Sequence, residues 1–342
     1  MVNELEQSNE AEVDEELEQH EEAPPIILSK DADALIQRLL RTDLRDAAEK
    51  LGVMEARYLV DSYWAVQKVR VAMGNQATTL KKSEEPIYLV RYLNEQLEKG
   101  EEMIRIVLDR YTDRFDVGRW MKGITGIGPV ISAGLLAHID ISVCPTAGHV
   151  WSFAGLNPEQ KWEKGQKRPW NATLKTLCFK IGESFVKVQN LDSDYYGKIY
   201  ARMKQEYIKR NEAGMYAARC AEILSVKNFG VNTDAILWYS GRLRPQDAQV
   251  IRDMAPGARL GAAKKLAGEP GSGVAMFPPA HIHAMARRYA VKMFLSHLHH
   301  VWYKVHFKTE PPKPFALEHL GHVHFIPPPV GVKKRGRKKV AA

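Results

Sequence analysis

"KGITGIGPVISAGLLAHI", residues 122–139, is the stretch on which the reading of the chain turns. Three glycines and a proline lie between two apolar stripes at helical spacing: Val117, Trp120, Met121 and Ile124 on one side, Ile131, Leu135, Leu136 and Ile139 on the other. Two such helices pack on each other only if the link between them is very short. Gly126 and Gly128 permit positive φ and leave no Cβ in the way, and Pro129 suits the first position of the second helix, where its missing N–H is no loss. A dinucleotide fingerprint is excluded. It needs a glycine three residues after Gly128, where Ile131 stands, and a preceding strand, where a helical stripe stands.

A hydrophobic-Gly-hydrophobic-Gly turn of this kind resembles the helix-hairpin-helix motif. The resemblance implies that Gly126, Ile127 and Gly128 offer backbone N–H groups to a phosphate oxygen of double-stranded DNA without reading a base, and that Arg119 and Lys122 add charge. A hairpin that only packs, touching no nucleic acid, is the alternative. The segment that follows, "HVWSFAGLNPEQKWEKGQKRPWNATLKTLCFKIGESFVKV" (149–188), extends the likeness. Residues 120–188 resemble the C-terminal domain of the insertion-sequence transposases that join a DEDD nuclease-like domain to a helix-hairpin-helix and serine domain, a family that includes the pilin-gene invertase type and the bridge-RNA recombinases. Gly126, Gly128 and Pro129, then Phe153, Ala154, Gly155, Leu156 and Pro158, then Asn171, Leu174, Lys175 and Leu177 fill that family's positions.

The departures bear on chemistry. Such a recombinase attacks DNA through a serine a few residues after the Gly-Leu-x-Pro block, yet residues 157–169 contain no Ser, Thr, Cys or Tyr. Ser152 precedes the block and Ser184 falls within the last helix, so no catalytic residue is assigned. The acidic tetrad of an α/β half is not visible either. An active transposase with its nucleophile elsewhere therefore stays open beside a DNA-binding protein without strand chemistry. What the segment offers is Lys161, Trp162, Lys164, Lys167, Arg168 and Trp170: cations for phosphates and a tryptophan for an unpaired base. Both tryptophans read equally as cover for the hairpin, and for Trp170, beside the helix start, that is the preferred reading.

Charge points the same way. The formal net charge is +8, but residues 1–29 hold ten acidic side chains and no Lys or Arg, so the remainder carries +18. Such a surplus suits a polyanion, with the acidic tail either competing for the basic surface or merely solubilising the chain. RNA remains a second polyanion open to it. No apolar run is long enough to span a membrane, the N-terminus is unlike a signal peptide, and three scattered cysteines suggest neither zinc nor disulfides. A soluble cytoplasmic protein without cofactor is expected.

The expected fold is mainly α: an acidic disordered tail (1–29), a helical arm (30–116) of two long antiparallel helices that packs on itself or makes the chain a homo-oligomer, the hairpin domain (117–190), a helical extension (191–254), a mobile Gly/Ala-rich loop (255–279), a His-rich helix (280–309), and a Pro-rich and basic tail (310–342). Nine of the twelve histidines lie from residue 281 onward, without the convergent spacing of a zinc site, so no metal is assigned; their protonation would add to the basic face of Arg287, Arg288 and Lys292. "KKRGRKK" (333–339) resembles a minor-groove AT-hook through Arg335 and Arg337, or serves as a plain polybasic arm.

Overall fold

The computed structural model describes residues 42–82, 87–230, 233–312 and 326–329, and among these no strand occurs. The acidic tail and the basic run from 333 lie outside them. Residues 42–48 are helical.

α1 (Val53–Lys82) and α2 (Tyr88–Asp113) form the arm. They run antiparallel. The Arg114 guanidinium donates to Leu51 O (2.7 Å) at one end, Gln67 and Arg70 reach Glu101 (2.9 and 2.6 Å) midway, and Gly74 lies opposite Asn94 further out. Ala56 and Val60 of α1, with Ile106, Val107, Leu108 and Tyr111 of α2, are buried, whereas Val69, Val71, Leu89 and Leu93 are exposed. The arm is therefore rooted at one end.

Its root packs on α4 (Pro129–His138), the second hairpin helix, which follows α3 (Asp116–Lys122). Every residue of α4 from Val130 to His138 is buried. A helix apolar all round belongs in a core, and α4 lies between the arm and α6 (Ala172–Val188). Gly134 permits that: a Cβ there would stand 2.8 Å from Leu177 Cδ2 and 3.4 Å from Val60 Cγ1. A 3-10 turn (Ile141–Val143) and α5 (Ala147–Phe153) connect α4 to the loop before α6.

After α7 (Tyr196–Glu212) the chain forms α8 (Ala217–Val226), α9 (Ala235–Tyr239), α10 (Pro245–Asp253) and α11 (Pro256–Leu266). α11 corrects the expected loop over 255–279. Alanine has the highest helix propensity, Pro256 starts the helix at a position that suits it, Ala263 is fully buried, and nothing crowds Gly257 or Gly261. Only 267–278 is irregular, held by backbone bonds such as Val274 N–H to Leu243 O (3.1 Å) and Met276 N–H to Trp238 O (3.0 Å).

α12 (Pro279–Phe307) is the long His-rich helix, and it packs on α7, α6 and α5. α6 and α12 run in the same sense: Phe179 lies under Arg287, Gly182 against Val291, and Phe185 against Phe294. Phe185, Tyr196 and Phe294, all fully buried, form the aromatic centre, with ring centroids 4.9 to 5.7 Å apart. The segment 326–329 returns to this core, where Ile326 O meets His297 Nε2 (2.9 Å) and Pro329 O accepts from Trp120 Nε1 (3.0 Å).

Candidate nucleic-acid interface

The hairpin turn is built from two kinds of residue. Ile124 and Ile127 are buried, at 5% and 2% exposure, and anchor it from below. Gly126 reverses the chain at φ +90°, its carbonyl accepting from Ser184 Oγ (2.5 Å); a Cβ there would sit 3.2 Å from both Ser184 Oγ and Val188 Cγ2. Gly128 differs from expectation. Its backbone is extended (φ −103°, ψ 177°), and its missing Cβ faces open space rather than a packed neighbour. Pro129 takes the first position of α4 as expected. Among the described residues, the N–H groups of Gly128, Val130 and Ile131 make no backbone hydrogen bond. Ile127 N–H is already given to Ile124 O (3.0 Å), so Ile127 serves packing and not a ligand.

The cations assigned beside the turn are occupied. Lys122 Nζ lies 2.6 Å from the carboxylates of both Asp109 and Asp113, with its side chain 16% exposed. The Arg119 guanidinium binds Asp116 and Asp113 O. Sequence spacing shows the charge on α3 but not the carboxylates that the end of α2 brings against it.

Lys164, Lys167 and Arg168 stand exposed on the loop between α5 and α6. Gly165 turns that loop at φ +96°, Trp162 Nε1 donates to Gln166 O (2.7 Å), and the Arg168 guanidinium lies 5.1 Å from the Trp162 ring centre. Trp162 is 38% exposed and so is not core cover. Trp170 is partly buried over Gly155, which has φ +64° and where a Cβ would come within 2.8 Å of the indole. Arg335 and Arg337 fall outside the described residues.

Tertiary packing adds cations that spacing alone did not join to this loop. Lys175 Nζ sits 4.0 Å from the Trp170 ring centre, and Lys292 Nζ sits 5.0 Å from that of Trp151, whose Nε1 donates to Lys292 O (3.1 Å). Partial desolvation, then Arg168 and Arg288, lower the Lys175 ammonium pKa; desolvation, then Arg288, lower that of Lys292. Arg287 pairs with Glu183, but Arg168, Lys175, Arg288 and Lys292 have no ion pair among the described residues. Cations that repel one another are stabilised by an incoming anion, and Arg168, Lys175 and Lys292 each also lean on an aromatic ring.

The histidines are structural. Tyr196, Tyr200 and Tyr239 hydroxyls pair with Nδ1 of His297, His283 and His281 at 2.8, 2.8 and 2.9 Å, and His299 Nε2 pairs with Cys144 O at 2.9 Å. Burial pushes His297 and His281 down to about 4 and lowers His283 and His299, so these rings are neutral at pH 7 and do not feed the positive surface. Among the described residues no three or more His, Cys, Asp and Glu groups converge on a metal position. Ser184 is spent on Gly126 O, and Ser152 accepts from Asn157 Nδ2 (3.2 Å). No helix among the described residues is long and apolar enough to cross a membrane.

The site thus belongs to a mainly α protein with a helical hairpin, a loop and a basic, aromatic face on α6 and α12. Residues 119–169, which cover the hairpin, α5 and most of the loop, match the model of the transposase IS116/IS110/IS902 family. That stretch is transposase-related sequence. No curated protein and no solved structure matches the chain.

Proposed function

We propose that this is a DNA-binding protein of a mobile element, related to the insertion-sequence transposases, that grips the phosphate backbone at two places. One is the helix-hairpin-helix turn, where Gly128 leaves the start of α4 unshielded by a Cβ. The other is the face formed by Arg168, Lys175, Arg288 and Lys292. The observation that carries the reading is this second cluster: four cations brought together by α6, α12 and the preceding loop with no carboxylate paired to them. Strand transfer is outside the proposal, because residues 157–169, where the resembled family places its serine, contain no Ser, Thr, Cys or Tyr. Self-association is assigned to the far half of the arm, where Leu89 and Leu93 are exposed.

Mixing the full-length protein with fluorescent duplexes of two unrelated sequences tests this. Both should bind with similar affinity, an RNA hairpin should compete less well, and no label should remain attached after denaturation. Absence of binding to either duplex contradicts the reading, and covalently trapped DNA replaces it with an active recombinase.

A further inference from the structure

A cavity of about 450 Å³ opens between the end of α5 and the start of α6, lined by Phe153, Lys167, Arg168, Pro169, Trp170 and Asn171. We propose that it receives one unpaired nucleotide of the bound DNA, with the base against Phe153 and Trp170 and the flanking phosphate on Lys167 and Arg168. The inference rests on the DNA-binding reading above and adds the kind of DNA that is preferred.

Three features of the cavity lead there. It is a wide-mouthed depression rather than an enclosed pocket, open enough for a base to enter from the side of a duplex. Its lining holds two cations, two aromatic rings and no acid, and neither cation has an ion pair among the described residues. An intact duplex presents phosphates and sugars on its outside. It satisfies Lys167 and Arg168 but gives nothing to Phe153, which is 38% exposed at the mouth. An extrahelical base supplies the missing flat face, and stacking of this kind tolerates any base. The cavity is also preformed. Asn171 N–H donates to Phe153 O (2.9 Å), joining the two rims, while Asn171 Oδ1 accepts from Leu174 N–H (2.9 Å) and locks the start of α6. Gly155 lets Trp170 lie directly on the backbone that follows Phe153. Because the Asn171 carboxamide oxygen is committed to that cap, base identity goes largely unread.

The test compares two duplexes that differ only in whether a single 2-aminopurine is paired or bulged, each titrated with full-length protein at fixed salt. The bulged duplex should bind about tenfold tighter or more, as one stacked base implies, and its fluorescence should be quenched on binding. Phe153→Ala should remove the preference and the quenching while leaving affinity for the paired duplex unchanged. Trp170→Phe keeps a ring over Gly155 and should retain part of the preference. The triple variant Lys175→Ala, Arg288→Ala, Lys292→Ala should weaken both duplexes alike. Equal affinity for paired and bulged DNA, or a preference that survives Phe153→Ala, overturns the pocket and leaves the DNA-binding reading standing. Binding to neither duplex removes both. A free deoxynucleoside monophosphate that displaces the bulged duplex at comparable concentration also overturns it, since the site would then take the nucleotide alone.

Discussion

The arm and the α6/α12 face use the same cationic residues in opposite ways. Along the arm and the hairpin's first helix Arg70 pairs with Glu101, Arg105 with Glu102, Arg110 with Glu49, Arg119 with Asp116, and Lys122 with Asp109 and Asp113, while Arg114 at the end of α2 rests on the Tyr111 and Phe115 rings. On the other face they rest on rings: Arg168 on Trp162, Lys175 on Trp170, Lys292 on Trp151. A paired cation must give up its partner before it can neutralise a phosphate, whereas a ring holds the cation in place and leaves its charge available. Net charge is therefore a poor guide to where a polyanion binds. The partners decide.

The comparison can be broken first at the turn that both regions share. Gly126→Val forces a β-branched residue to φ +90° and presses it on Ser184 and Val188, so stability should fall by about 3 kcal/mol. Thermal melts read this directly. Gly128→Ala meets open space and an extended backbone, and should leave the melt unchanged while reducing DNA affinity by shielding the start of α4. Next in size is Glu101→Gln in the arm. Burial pushes this carboxyl up, but hydrogen bonds from Arg70, Gln67 and Tyr63 outweigh it and hold it below the usual carboxylate range. Losing the charge should cost about 2 kcal/mol in urea unfolding with DNA affinity unaffected.

A smaller effect separates the histidines from the binding face. His297 and His281 titrate near 4 when folded and near 6.5 in an unfolded chain, so the unfolded state binds more protons between those values. Their contribution to stability is fully present above pH 6.5 and is lost as pH falls toward 4. His297→Gln should flatten that part of the stability profile, and a profile as steep as the parent's contradicts the neutral Tyr196–His297 pair. Smallest of all is Lys122→Ala, which should cost at most about 1 kcal/mol and change DNA affinity less than twofold, because Asp109 and Asp113 already hold the ammonium.

Local signals were legible and partnerships were not. The apolar stripes at 117–124 and 131–139, the proline at the head of α4 and the long helix ending near Phe307 all follow from short-range pattern, and Gly126 has the positive φ its setting called for. Gly128 misled because a glycine is placed by any of several needs, and here the need is not packing. The helix at 256–266 was hidden by its glycines, although its alanines and Pro256 favour it. Lys122 and Arg119 stood out by proximity to the turn; the i,i+3 spacing of Asp116 and Arg119 on α3 carries the second pair in the sequence, whereas the partners of Lys122 come from the end of α2 and no local spacing shows them. Lys175 and Arg288 lie 113 positions apart, and only the crossing of α6 with α12 joins them.

The most direct test of the account is the salt dependence of DNA affinity in the parent and in two triple variants, one lacking Lys175, Arg288 and Lys292, the other lacking Arg105, Arg119 and Lys122. Each phosphate neutralised contributes about 0.9 to the slope of log affinity against log salt. The account predicts that removing these three unpaired cations reduces the steepness of that slope by about 2.7, while removing the carboxylate-paired ones leaves it where it was. Equal losses in the two variants, or an unchanged slope in the first, would contradict the claim that the unpaired face is where the DNA backbone is held.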